Sequence, residues 1–406
     1  MIIKKAYKFK LKPTGLQQSQ LNEITGACRF IWNKVLRLNL DRLKNKQSLM
    51  WYHEADFWSK LWKSSDEYGF LKVIPAHCLQ QKLKDLDKAF RDAFDKHQPL
   101  KRIPRFKKKN IGDSFRFPEP KHIAINNRRL KLPKIGWVGF HKSQAIMGDI
   151  KNVTISRKHN AWFVSIQVEV VHQQKTEKTS RSMIGIDLGI QQFATLSDGT
   201  IIHPIHSFRK HEKKLKTAQK HLSRRQKFSQ NWRKQKTKIQ KIHQKIAHVR
   251  QDFQHKTSTA LSNSHAIIVI EDLKIRNMSK SASGSIEFPG KNVKAKAGLN
   301  KSLLDQGFHE FTRQLDYKLT WRGGYLIQID PKHTSQKCHV CGYIDKDNRT
   351  SQAEFCCLQC HHQDNADQNA AKNILAAGHA VIACGEMGLP ISLKQEPMRN
   401  CEKVAA

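Results

Sequence analysis

Acidic residues are scarce in this chain: 34 Asp and Glu stand against 73 Lys and Arg, leaving a formal charge of +39 and a pI near 10.0. So large a surplus exceeds any solubility requirement and points to a polyanionic partner. Long apolar runs are absent too. No stretch of about 20 apolar residues occurs, which excludes a membrane-spanning helix and leaves no reason to expect a membrane partner. Residues 1–10 carry four lysines and lack the apolar centre of a signal peptide, so a soluble, cytoplasmic protein is expected. The nine cysteines are an odd number, and four of them form two C-x-x-C pairs, which argues for metal ligation in a reducing compartment rather than a disulfide framework. Cys28, Cys78 and Cys384 lie among apolar residues and are expected to fill core; Cys401, in the polar tail, has no assignment. There is no internal repeat.

At 406 residues the chain exceeds what one hydrophobic core holds, roughly 250 to 300 residues, so two or three domains are expected. A strand over 6–11 stops at Pro13. Leu21, Ile24, Cys28, Ile31, Trp32 and Val35 then recur on one helical face, and further helices are expected over 51–62 and 78–94, closed by Pro99, Pro104 and the basic run 105–109. From about 115 to 171 the period changes to two, with Val153 and Ile155, a turn at 158–160, then Trp162, Val164, Ile166, Val168 and Val170 on one face. Residues 172–181 contain no apolar side chain and read as a linker.

Beyond it, short strands are expected over 183–188, 191–196 and 200–203, with Ser197, Asp198 and Gly199 as a turn. A long basic helix over 209–261, a buried strand over 266–270, a Ser/Gly/Lys-rich loop over 278–299, a helix over 302–321 and a strand over 324–329 complete the series. Three strands followed by strand–helix alternation is the element order of a ribonuclease H-like α/β fold.

Acids occur where burial makes them costly. Asp187 ends an apolar strand, where an ionised carboxylate needs a cation or hydrogen bonds; the bland alternative is a turn contact at Gly189. Glu271 and Asp272 follow the strand at 266–270, and Asp364 and Asp367 precede a helix; each could instead be a helix cap. Three separated carboxylates converging on one or two hard cations, Mg²⁺ or Mn²⁺, would suit phosphodiester hydrolysis, in which two ions activate a water and stabilise the leaving oxygen. Cys338-x-x-Cys341 and Cys357-x-x-Cys360, fifteen residues apart, have the spacing of a closed, structural zinc site; Cys356 cannot complete a pair with Cys360. Within 209–261 the acids are too few to pair with the Lys and Arg, so a helix lying along a nucleic-acid backbone is expected, with Trp232 either stacking on a base or anchoring the helix.

Ala-Tyr-Lys-Phe-Lys-Leu-Lys-Pro-Thr at 6–14, Gly-Ile-Asp-Leu-Gly at 185–189, Ile-Glu-Asp-Leu at 270–273, Thr-Ser-Gln-Lys-Cys-His-Val-Cys-Gly at 334–342 and Asn-Ala-Asp-Gln-Asn-Ala-Ala-Lys-Asn-Ile at 365–374 resemble, in order, the motifs of the TnpB family, transposon-encoded RNA-guided nucleases related to type V CRISPR effectors. The resemblance runs to about Gly385. It implies a split, ribonuclease H-like RuvC nuclease domain over 182–332 and 364–385, with Asp187, Glu271 and Asp367 as its metal-binding carboxylates and Asp272 and Asp364 as neighbours. It also implies a zinc ribbon over 333–363, a helical recognition domain over 13–112, a β-rich wedge domain over 1–12 and 113–181, and a tail over 386–406. The implied partners are a guide RNA from the transposon end and double-stranded target DNA beside a short motif. Two other activities fit the composition: a guide-directed DNA-binding regulator that does not cut, and a metal-dependent transposase acting without RNA.

Overall fold

The computed structural model describes residues 2–158, 161–171 and 182–384, in two compact units, Met1–Gln173 and Gln174–Ala406. The expected linker at 172–181, most of the turn at 158–160, Cys401 and the tail at 386–406 lie outside the described residues.

In the first unit, β1 (Ile2–Lys12) turns Ile3, Tyr7, Phe9 and Leu11 inward and lysines outward. Thr14 and Gln17 then form a reciprocal capping box, which starts α1 (Gly15–Lys44). The apolar stripe read from the sequence is the buried face of α1, and α2 (Tyr52–Ser64) and α3 (Ala76–Phe94) enclose it. The basic run after Pro104 is held to α1: Asn33 Nδ2 donates to the Lys107 carbonyl at 3.1 Å, and the Lys107 N–H donates to Asn33 Oδ1 at 2.8 Å.

The strands β2 (Ser114–Phe117), β3 (Ala124–Asn126), β4 (Arg129–Leu132), β5 (Gly136–Phe140), β6 (Asp149–Lys158) and β7 (Ala161–Val171) join β1 in one sheet of order β2-β6-β7-β1-β5-β4-β3. β1 pairs antiparallel with β7 along most of its length and passes to β5 at Leu11 and Lys12. The first residues of the chain are therefore structurally part of the sheet that follows the helices.

The second unit is built on β8 (Met183–Asp187), β9 (Ala194–Leu196), β10 (Ile201–Ile202), β11 (Ile267–Glu271) and β12 (Tyr325–Ile329), in the order β10-β9-β8-β11-β12. β8, β11 and β12 are parallel, whereas β9 and β10 form an antiparallel meander on β8. One face, Ile184, Ile186, Ile268 and Ile270, packs on Leu261, Leu303, Phe308, Phe311, Leu315 and Leu319. The other, Ile267, Val269, Ile327 and Ile329, packs on Ile374 and Ile382. Burial on both faces explains the unbroken β-branched strand at β11.

Helix boundaries differ from the expectation at two places. The single basic helix expected over 209–261 is a hairpin of α4 (Arg209–Ser223) and α5 (Gln230–Ser264). The chain reverses where Phe228 takes φ of 69°, and Ser229 caps α5 by accepting the Trp232 N–H at 3.1 Å. A short α6 (Ile275–Met278) follows β11. The helix expected over 302–321 is broken into α7 (Val293–Gln306), which starts inside the expected loop, and α8 (Phe308–Thr320). Gly307, at φ of 69°, makes the break, and buried Gln254 donates across it to the Gln306 and Gly307 carbonyls at 2.7 and 3.0 Å. A small hairpin, β13 (Glu354–Cys356) with β14 (Gln363–Asn365), precedes the final helix α9 (Ala366–Ala383).

Candidate active site

Asp187 and Glu271 end neighbouring parallel strands. Ile186 pairs with Ile270, so the two acids stand side by side at the carboxyl ends of β8 and β11. Alternation assigns their face: Ile186 and Ile270 point toward the α7–α8 layer, which turns Gly185, Val269, Asp187 and Glu271 toward α9.

α9 approaches that face very closely. A Cβ on Gly185 would lie 2.3 Å from the Ala371 carbonyl oxygen, and one on Gly378 would lie 2.4 Å from a Val269 methyl and 2.7 Å from Met183. Because residue 378 abuts residue 183 and residue 371 abuts residue 185, the helix runs antiparallel to β8. Two residues up the strand cover about 6.6 Å, and four residues back along the helix cover about 6 Å. Asp367 therefore arrives beside Asp187.

Electrostatics bear this out. The Asp187 carboxyl is pushed up to about 7, first by burial and then by the charges of Glu271 and Asp367, with Arg349 and the Leu188 N–H opposing. Burial also raises Glu271, against the hydroxyl of Thr334, which donates to its Oε1. Arg349 Nη2 donates to Asp367 Oδ1 at 3.1 Å and to the Gln352 carbonyl at 2.8 Å. Among the described residues, the ligand atoms of two groups, Cys338–Cys341–Cys357–Cys360 and His339–His362–Asp364, lie within 4.8 Å of one another. Asp187, Glu271 and Asp367 do not form a group that tight.

The bland alternatives for these acids do not hold. Asn365 is the cap of α9, accepting the Asp367 and Gln368 N–H groups at 3.0 and 3.2 Å, which frees both Asp364 and Asp367 from capping. Lys274, not Glu271 or Asp272, sits at the N-cap of α6, and the Gly189 N–H donates to the Phe193 carbonyl rather than to Asp187. Asp272 pairs with Lys274, and Asp364 with Lys372 at 2.8 Å. All-oxygen donors at the ends of a rigid sheet suit a hard divalent cation. Thr334 and Arg349 were not legible as site residues, since nothing in local spacing links them to Glu271 or Asp367.

The cysteine cluster is closed. Cys338 and Cys360 sulfurs are 3.7 Å apart and those of Cys341 and Cys357 are 3.5 Å apart. A tetrahedron with Zn–S bonds of about 2.3 Å has edges of about 3.8 Å, so the donors fit a structural zinc ion. The two turns are alike: Gly342, at φ of 80°, donates its N–H to the Cys338 carbonyl at 3.0 Å, and His361, at 56°, does so to Cys357 at 3.0 Å. Cys356 lies in β13 outside the cluster. Cys28 and Cys78 are buried as expected, whereas Cys384 is exposed, at the C-cap of α9. Trp232 is half-buried, its ring 5.6 Å from exposed Phe228, which favours anchoring of the α4–α5 turn.

Three family models match in chain order: "Helix-turn-helix domain" at 1–48, "Probable transposase" at 165–282, and "Cas12f1-like, TNB domain" at 308–374. The class so defined is that of transposon OrfB-type proteins. The chain is 46% identical over 403 residues to the Escherichia coli (strain K12) protein named "Putative RNA-guided DNA endonuclease InsQ", covering 98% of this chain and 99% of the relative. A Streptomyces pristinaespiralis protein named "Putative RNA-guided DNA endonuclease" is 31% identical over 412 residues, covering 98% and 97%. Among solved structures, a Cas12f1–sgRNA–target DNA complex superposes with a TM-score of 0.55 at 12% identity, covering 92% of this chain and 98% of that one. The chain belongs to the TnpB family. Among the described residues no helix is long and apolar enough to cross a membrane.

Proposed function

We propose that the protein is an RNA-guided DNA endonuclease, that Asp187, Glu271 and Asp367 hold one or two divalent cations, Mg²⁺ or Mn²⁺, and that its second unit is a ribonuclease H-like RuvC domain interrupted by a zinc ribbon. The observation that carries the reading is the convergence on one sheet face of three carboxylates from β8, β11 and α9, where burial and then the charges of Glu271 and Asp367 push Asp187 up to about 7. The sheet order β10-β9-β8-β11-β12, with an antiparallel meander beside parallel strands, supports the fold assignment. Cations bound there supply Lewis-acid stabilisation of charge on a scissile phosphate and a lowered pKa for water.

The chain's own residues do the positioning. The strand ends hold Asp187 and Glu271 rigidly, Thr334 fixes one oxygen of Glu271, Asn365 sets the first turn of α9, and Arg349 orients Asp367 while placing a cation beside the acidic group. The α4–α5 hairpin carries Glu212 and Asp252 as its acids among many Lys and Arg, and this excess supports a role against a nucleic-acid backbone. Residues 1–12 with 113–181 would serve as the wedge module and 13–112 as the recognition module for guide RNA and target-flanking duplex, a division favoured by the pairing of β1 with β7.

The test is reconstitution with copurified RNA and matched duplex DNA. Wild type should cut, and Asp187→Ala should keep RNA and DNA binding while cleavage falls by roughly 1,000-fold, about 4 kcal/mol in barrier. Undiminished cutting by that variant would overturn the site; absence of any copurifying RNA would favour a transposase acting without a guide.

A further inference from the structure

Beside the zinc knuckles lies a second group of metal-binding side chains that the nuclease reading does not use. One ring nitrogen each of His339 and His362 and one carboxylate oxygen of Asp364 all lie within 4.8 Å of one another. His362 Nε2 is buried, has no hydrogen-bond partner, and stands 3.8 Å from Asp364 Oδ2. His339 Nδ1 is 3.9 Å from the same oxygen, and the two rings meet edge to face with centroids 4.7 Å apart. Two imidazoles and a carboxylate with ligand atoms this close, one of them a buried nitrogen with nothing to bond, make the donor set of an open divalent site with three protein ligands.

We infer that His339, His362 and Asp364 form a second, borderline-divalent cation site, taking Zn²⁺ in preference to Mg²⁺, that clasps the ribbon to the start of α9. The ligand set supports the ion class, since imidazole nitrogen favours zinc and its neighbours over magnesium. The separations of 3.8 and 3.9 Å exceed by roughly half an ångström the edge of a tetrahedron with bonds of about 2.0 to 2.1 Å, a closure within the reach of side-chain torsions. His339 can turn without orphaning its neighbour. As placed, its Nδ1–H donates to Asn369 Oδ1 at 3.0 Å, so cation binding requires the proton on Nε2 instead, and Asn369 Oδ1 then keeps the His339 backbone N–H at 3.0 Å. The Lys372 ammonium, 2.8 Å from Asp364 Oδ2, opposes the cation and must swing away when it binds. The site is therefore weaker than the four-cysteine one, and Lys372 sets how much weaker.

Its consequence is positional. Asp364 comes from β14, His339 lies inside the first knuckle and His362 just beyond the second, and Asp367 lies three residues beyond Asp364 in the first turn of α9. A cation here would tie the ribbon to the segment that places the last carboxylate.

The test is Co²⁺ titration of the full chain with its four-cysteine zinc retained and Mg²⁺ in excess to fill the acidic centre. Wild type should bind one equivalent of Co²⁺ and show ligand-field bands without thiolate charge-transfer absorption. His362→Gln should abolish that equivalent while still holding one zinc, and Lys372→Gln should bind it at least tenfold more tightly. A wild type that binds no such equivalent, a His362→Gln protein that binds it unchanged, or thiolate charge transfer in the cobalt spectrum would each overturn the assignment. Because the readout is stoichiometry and spectrum, it stands whether or not the protein cuts DNA.

Discussion

The four-cysteine cluster and the proposed carboxylate site of the second unit are built in opposite ways. The four cysteines come from two knuckles fifteen residues apart, each made by its own backbone turn, and their sulfurs already stand at tetrahedral spacing. The acidic group is assembled from the ends of β8 and β11 and the first turn of α9, elements that meet only because the sheet and helix pack. The first is local and closed, the second long-range and open. A local site stands on its own turns, whereas a long-range one inherits every fault in the packing and in the side chains that support it.

The comparison is most severely broken by removing zinc. Cys338→Ser with Cys357→Ser should release the ion and unfold the ribbon, since structural zinc contributes roughly 10 kcal/mol or more to such modules. Arg349 and Thr334 would then lose their places, and DNA cleavage should fall by roughly 1,000-fold, about 4 kcal/mol, while RNA retention survives. Metal analysis beside a cleavage assay checks this; normal cutting by a zinc-free protein would separate the two centres.

Gly185→Ala attacks the other construction. The added methyl meets a backbone carbonyl that cannot rotate away, so α9 must lift from β8, at a cost of about 1 to 3 kcal/mol read from denaturant unfolding. Cleavage should drop further than that loss of stability explains, because Asp367 moves with the helix; retained activity in a folded variant would count against the packing argument.

Smaller effects come from the supporting side chains. Thr334→Val keeps the shape and deletes the hydroxyl on Glu271, which should lower cleavage or Mg²⁺ affinity by roughly 10- to 100-fold. The last expected effect is on pH. With divalent ions chelated, a carboxyl raised from 3.8 to about 7 binds its proton more tightly folded than unfolded. Its stabilising share is then fully present below about pH 4 and is lost as pH rises through 7. Melting temperature of the chelated protein should therefore decline across that window, less so in Asp187→Asn, and equal slopes would show that the Asp187 carboxyl is not raised.

The same contrast explains what could be read in the sequence. The knuckles, the buried strand at β11 and the acid at the end of β8 were legible because each is encoded within a few residues. Helix breaks were less so: periodicity continues through Phe228 and Gly307, and it is a left-handed residue with a cap, or a buried Gln254 reaching over from another helix, that ends the element. Thr334 and Arg349 were invisible because their partners lie 63 and 18 residues away in the chain, joined by the fold and not by any spacing.

The ribbon occupies the chain between β12 and α9, so Asp367 is reached only after the four cysteines. On a ribosome, the sheet with Asp187 and Glu271 is complete before Asp367 exists, and the segment that leads to Asp367 runs through the four cysteines. The last of the three carboxylates is thus the last to be made, after both the sheet and the ribbon.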